Sequence, residues 1–202
     1  MRAKNSSPEQ RSLTEQARRA QIVEAAVEVI ADEGYAKASF ARIATKAGLS
    51  STGLITYHFA NRQDLIDSIV DEVMTAFAGH VRERVDAEFA PAARLDAFVS
   101  ANLDFIRTHR KHLVAVLDIT AGSRTTLAKI MKADIDALED LLVQGQRQGE
   151  FRAFHPRSVA IAIRSMRDGI LRVLSVEPDF DLTSYEHELR TLVRLATSGE
   201  IP

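Results

Sequence analysis

The chain has 202 residues, 46% hydrophobic and 27% charged, with a formal net charge of −2. These are the values of a globular protein with enough apolar material for a sizeable core, and they exclude fibrous, collagen-like and disordered classes. Cysteine is absent, which excludes disulfides, thiolate metal sites and thiol nucleophiles and suits a reducing cytoplasm. Residues 1–20 hold no apolar signal core, and no window approaches the roughly 20 apolar residues that span a bilayer. The expectation is a cytoplasmic protein with no membrane partner.

Charge is unevenly distributed along the chain. Residues 1–62 carry nine Lys and Arg against six Asp and Glu, a balance of +3, while residues 63–202 carry 17 against 22, a balance of −5. A basic head on an acidic body is the sign pattern of a nucleic-acid binder.

In chain order, residues 1–13 are polar and without period, which predicts a flexible arm. Ile22, Ala25, Ala26, Val29 and Ile30 recur in steps of three and four, so a first helix is predicted over 14–33, stopped by Gly34. Arg18 and Arg19 near its start fit either a solvated face or phosphate contacts. Ser39 is placed to cap a second, short helix with Phe40, Ile43, Ala44 and Ala47 on its apolar face. Gly48 supplies a reversal, and Ser50 or Ser51 can cap a third helix ending near Phe59. Ala44, Gly48 and Leu54 have the spacing of a helix-turn-helix, whose second helix lies in the major groove. The exposed positions of that helix, Ser51, Thr52, Gly53, Thr56, Tyr57 and His58, are small or hydrogen-bonding and include no carboxylate. Asn61 can then cap a long helix beside Arg62, a geometry suited to a phosphate.

These residues resemble the TetR family of bacterial transcription regulators: a long first helix closing on EGY, then IA, AGLS, YHF and NRQDL, within residues 17–65. Gly48 to Phe59 is one position longer than in common members, and the extra residue is expected between Leu54 and Tyr57. The resemblance implies an all-α fold of about nine helices: an arm (1–13), a three-helix DNA-binding head (14–62) and a helical effector-binding and dimerisation body (63–202). It further implies that Ser39 and Arg42 touch phosphate, that Ser50, Ser51, Thr52, Thr56, Tyr57 and His58 come from the recognition helix, and that Arg62 anchors the far strand. For Tyr57, packing against Leu54 and Phe59 is the alternative.

Apolar residues at helical spacing from Leu65 to Val81 predict a long helix joining head to body, interrupted at Glu88–Pro91. Body helices follow, the last two striped by Val159, Ile163, Met166, Ile170 and Val173, then by Tyr185, Leu189 and Leu192. Two copies of that pair would close a four-helix bundle, so a homodimer is expected. The resemblance adds Asp168 and Gly169 to the interface. It also implies a small-molecule effector in the body, for which Phe98, Asn102, Phe105, Leu117, Met131 and Met166 are candidate linings or plain core. The expected function is a homodimeric repressor of a palindromic DNA operator, released by that effector. The alternative is an interaction module that kept the fold but no longer reads an operator. No enzyme motif, cofactor loop or HExxH occurs; His109 and His112 with Asp118 lie in a basic junction that disfavours a metal.

Overall fold

The computed structural model describes residues 8–199, and among them all regular structure is helical: α1 (Pro8–Glu33), a 3-10 turn (Tyr35–Lys37), α2 (Phe40–Lys46), α3 (Gly53–His58), α4 (Arg62–Asp86), α5 (Pro91–Thr108), α6 (Arg110–Ala121), α7 (Arg124–Arg147), α8 (Pro156–Val176) and α9 (Leu182–Thr197). The expected arm is corrected in part. Residues 8–13 already belong to α1, because Pro8 is well suited to a first helical position; residues 1–7 lie outside the described residues.

Helix ends follow the local chemistry. Ser39 Oγ accepts the Arg42 N–H at 3.4 Å, Asn61 Oδ1 accepts the Asp64 N–H at 3.0 Å, and Ser123 Oγ accepts the Thr126 N–H at 3.4 Å. Asp181 caps α9 by accepting from the N–H groups of Thr183 and Ser184. The Ser184 hydroxyl, then those two N–H groups, hold its carboxyl below the usual range, so this cap is complete above ordinary carboxylate pKa values and is lost as pH falls through the lowered one. Gly48 ends α2 at φ +65°, a conformation that costs other residues strain.

The packing forms one continuous core. α1 lies against α2, α4 and α6, while α5 runs through the body beside α4, α6, α7, α8 and α9. Ile22, Ile43, Ile55, Phe59, Leu65 and Ile69 bury the head's interior, and Leu103, Phe105, Ile106, Leu138 and Leu142 bury the body's. Gly145 lets the Phe151 ring lie directly on α7, where a Cβ would overlap the ring. No helix among the described residues is long and apolar enough to cross a membrane.

Three expected interface positions require correction. Ile163, Ile170 and Leu189 are 3%, 2% and 3% exposed within the single chain, because α8 and α9 already pack on α5 and α7 through that side. The outer faces of the pair instead present Ile161, Val176, Leu192 and Leu195, at 44%, 75%, 54% and 51% exposure. Gly169 is exposed beside them, and Val159, Met166, Asp168, Val173 and Tyr185 are half-buried. Tyr185 ties the two helices together by donating to the Met166 carbonyl at 2.6 Å.

Candidate DNA-binding head and ligand cavity

α2 and α3 meet around Ala44, Ala47, Ile43, Ile55 and Phe59, all buried. The residue from α3 that fills this crossing is Ile55, fully buried, whereas Leu54 is 37% exposed. The extra residue therefore falls before Ile55, in the turn between Gly48 and Gly53, and not between Leu54 and Tyr57. The lengthened turn moves the start of α3 to Gly53, with Thr52 at the cap and no side-chain cap bond; neither Ser50 nor Ser51 caps it. Burial of Ile55 also removes it from any outward face.

The outward face comprises Ser50, Ser51, Thr52, Gly53, Thr56 and Tyr57, all exposed, with His58 half-buried. Tyr57 is 71% exposed, and its hydroxyl reaches Glu15 at 3.3 Å, so its ring does not pack into the crossing. Thr56 Oγ1 donates to the Gly53 carbonyl at 3.0 Å. No carboxylate occurs from Gly48 to His58.

The head's cations are largely engaged by partners within the chain, Arg19 and Arg62 against the fold and Arg42 and Lys46 in surface ion pairs, which the sequence pattern does not reveal. Arg19 donates to Ser68 Oγ at 2.5 Å and to the His58 carbonyl at 3.3 Å, and lies over the Phe59 ring at 4.3 Å. It is a brace between α1, α3 and α4. Arg62 donates to the Tyr35 carbonyl at 2.7 Å and to the Ala38 carbonyl at 3.3 Å, stacked over Tyr35 at 4.1 Å; this corrects its reading as a free anchor for the far strand. Arg42 is ion-paired with Glu33, and Lys46 with Glu28 at 2.5 Å. At the start of α4, Asp64 also accepts the Ala60 N–H at 2.8 Å, partly filling that N-terminus with its own carboxylate. Lys37, exposed in the 3-10 turn and without an ion pair among the described residues, was not singled out from sequence because it lies outside any motif.

In the body, a cavity of about 650 Å³ occupies the gap between α4 and α7 over α5. Its walls include Met74, Phe77, Val81, Phe98, Ile130 and Leu141. Ala78, Ala133 and Ala137 face the gap, and these small residues between two apolar stripes are the sequence signal for a space there. Of the expected linings, Phe98 lines this cavity and Leu117 lines a smaller void of about 60 Å³ beside it. Phe105, Met131 and Met166 line neither. Phe105 packs edge-on to Phe77 and stacks on His109 at 4.1 Å. Asn102 donates to the Phe98 carbonyl at 2.6 Å and accepts from Arg167 at 2.8 Å, so both the nitrogen and the oxygen of its amide are engaged.

Arg167, 7% exposed, connects the walls: it donates to Asp134 of α7 at 2.6 Å, to Asp168 at 2.7 Å and to Asn102 of α5, and sits 5.5 Å from the Phe77 ring of α4. Burial acts to lower its pKa, and the charges of Asp134 and Asp168 outweigh that, leaving it raised.

Comparison with known proteins supports the same assignment. A family model described as "Bacterial regulatory proteins, tetR family" matches residues 22–69. The chain is 28% identical over 136 residues to a fatty acid metabolism regulator protein of Bacillus subtilis, covering 65% of this chain and 70% of that one. It is 27% identical over 194 residues to the HTH-type transcriptional regulator BetI of Cronobacter sakazakii, covering 92% and 93%. In fold it is similar to the fatty acid degradation regulator FadR from Bacillus halodurans, with a TM-score of 0.78 at 23% identity over 95% and 97% of the two chains. A structure of AibR in complex with isovaleryl coenzyme A and operator DNA gives a TM-score of 0.70 at 25% identity over 87% and 96%. The helix-turn-helix, the all-helical body and these relatives lead to one conclusion: residues 22–69 form a DNA-binding domain of the tetR family of bacterial regulatory proteins, and the chain is similar over most of its length to transcription regulators of that family.

Proposed function

We propose that the protein is a homodimeric, sequence-specific repressor whose head, residues 14–62, leaves its operator when an acyl thioester of coenzyme A occupies the body, residues 63–202. The observation that carries this reading is the outward face of α3, rich in hydrogen-bonding side chains, free of carboxylates and held rigidly from behind by Ile55 and Phe59. In the major groove Ser51, Thr52, Thr56, Tyr57 and His58 read base edges, while Ser39, Ser50 and Lys37 meet phosphate. Arg42 joins them by exchanging Glu33 for a phosphate.

The exposed apolar residues of α8 and α9 support a dimer through a four-helix bundle. The effector class is supported by relatives named for fatty acid metabolism, by the neighbour bound to isovaleryl coenzyme A, and by a largely apolar cavity whose rim holds Arg82, Arg94 and Lys129 alongside Asp86, Asp134 and Asp140.

Fluorescence anisotropy with DNA flanking the protein's own gene tests the docking. Lys37→Glu is expected to weaken binding to every duplex and flatten the salt dependence. Thr56→Ala should instead cost about 1 kcal/mol on the operator alone. Unchanged binding in both variants contradicts the docking.

A further inference from the structure

We propose that carboxylates of α1 set operator specificity: Glu28 and Glu33 stand in for phosphates on Lys46 and Arg42, so that only a duplex whose backbone fits the head releases these two cations. This rests on the docking described above and adds a discriminating step to it.

The acids of the head are unevenly placed. Every carboxylate of residues 14–62 lies on α1: Glu15, Glu24, Glu28, Asp32 and Glu33. Glu24 and Asp32 hold the body, through His112 at 2.9 Å and Lys111 at 3.0 Å. The remaining three hold groups of α2 and α3. Glu28 pairs with Lys46 at 2.5 Å, Glu33 pairs with Arg42, and Glu15 accepts from the Tyr57 hydroxyl at 3.3 Å.

Arg42 and Lys46 are four residues apart on α2 and share one of its faces. Ser39, at the start of the same helix, lies on that face as well, and the docking sets it against phosphate. Both cations are exposed, and their partners Glu33 and Glu28 are open to water. Ion pairs of this kind add little to folding stability. They differ in this from the contacts of Arg19 and Arg62, whose guanidinium groups are tied to carbonyls and rings of the fold.

What the two pairs alter is the charge offered to DNA. Glu28 raises the Lys46 pKa, through its hydrogen bond first and its charge second. With Arg42 and Lys46 paired and Arg62 held by carbonyls, Lys37 is the cation of residues 34–62 left without a partner among the described residues. Binding to arbitrary sequence is almost wholly a matter of how many phosphates are neutralised, so cations satisfied within the chain weaken it. A loosely seated duplex brings no phosphate to the places the carboxylates hold, and the pairs persist. Once α3 is seated in its own groove, phosphates reach α2 and replace the carboxylates through charge-assisted bonds, bidentate for Arg42. Exchange is thereby coupled to correct seating.

Fluorescence anisotropy across a salt series tests this, using the full chain, DNA flanking its own gene and a scrambled duplex of equal length and composition. Glu28→Gln with Glu33→Gln is expected to raise low-salt affinity for the scrambled duplex about tenfold and to steepen its log-log salt slope by about two. Operator affinity should rise less, so the preference for operator falls. Glu24→Gln removes the same charge from the same helix without freeing a cation of α2, and should leave the scrambled-duplex slope unchanged. Glu33→Gln alone, expected to steepen that slope by about one, serves if the double variant folds poorly. A slope that stays flat, an equal gain on both duplexes, or the same steepening from Glu24→Gln overturns the discriminator alone. A wild-type chain that does not prefer the flanking DNA to the scrambled duplex overturns the docking and the discriminator with it.

Discussion

Replacing Arg167 by methionine is expected to lower the free energy of unfolding by about 2–3 kcal/mol, read by urea denaturation. The guanidinium joins α5, α7 and α8 and faces Phe77 of α4. Methionine keeps most of the apolar volume but leaves Asp134 and Asp168 to share Arg164 alone, and leaves Asn102 Oδ1 without its donor. Both carboxylates keep some solvent exposure, 14% and 29%, which holds the loss below that of a fully buried orphaned pair. Adding Asp134→Asn should recover part of it, since the second substitution removes one of two anions competing for one cation. Strictly additive losses, or a loss under about 0.5 kcal/mol, contradict the role of this cluster.

The second large effect concerns assembly. Ile161→Arg with Leu192→Arg places charges in the exposed apolar face of α8 and α9 at positions that the single chain leaves 44% and 54% open, so the fold itself should survive. Sedimentation is expected to show a monomer, and operator affinity to fall by about 100-fold or more, because two linked heads bind with the advantage of effective concentration. A double variant that remains dimeric places the interface elsewhere.

Much of the fold was legible because helical periodicity and capping residues are local signals. The stripe from Leu65 to Val81 is buried where it was expected, and Ser39 and Asn61 cap the helices that follow them. What the sequence could not decide depended on packing between elements. Leu54 and Ile55 are adjacent apolar residues, and only the length of the turn after Gly48 settles which one enters the crossing. Arg19 and Arg62 read as surface cations, yet carbonyls and rings from distant segments engage them. The stripes of α8 and α9 contain both an inward and an outward set, and a stripe alone does not tell whether its partner is the same chain or a second copy. The cavity's walls were legible only in part, Phe98 among them, because most of its apolar lining has the spacing of ordinary core and the alanines at 78, 133 and 137 mark a gap only once α4 and α7 are seen to face each other.

Hydroxyl-radical footprinting on DNA flanking the protein's own gene tests most directly the claim that this head is half of a two-fold reader. Two protected stretches on one face of the duplex, with centres one helical turn or a whole multiple of it apart, are predicted, weakening together as salt rises. A single protected stretch, or even coverage of every sequence at all salt concentrations, contradicts it.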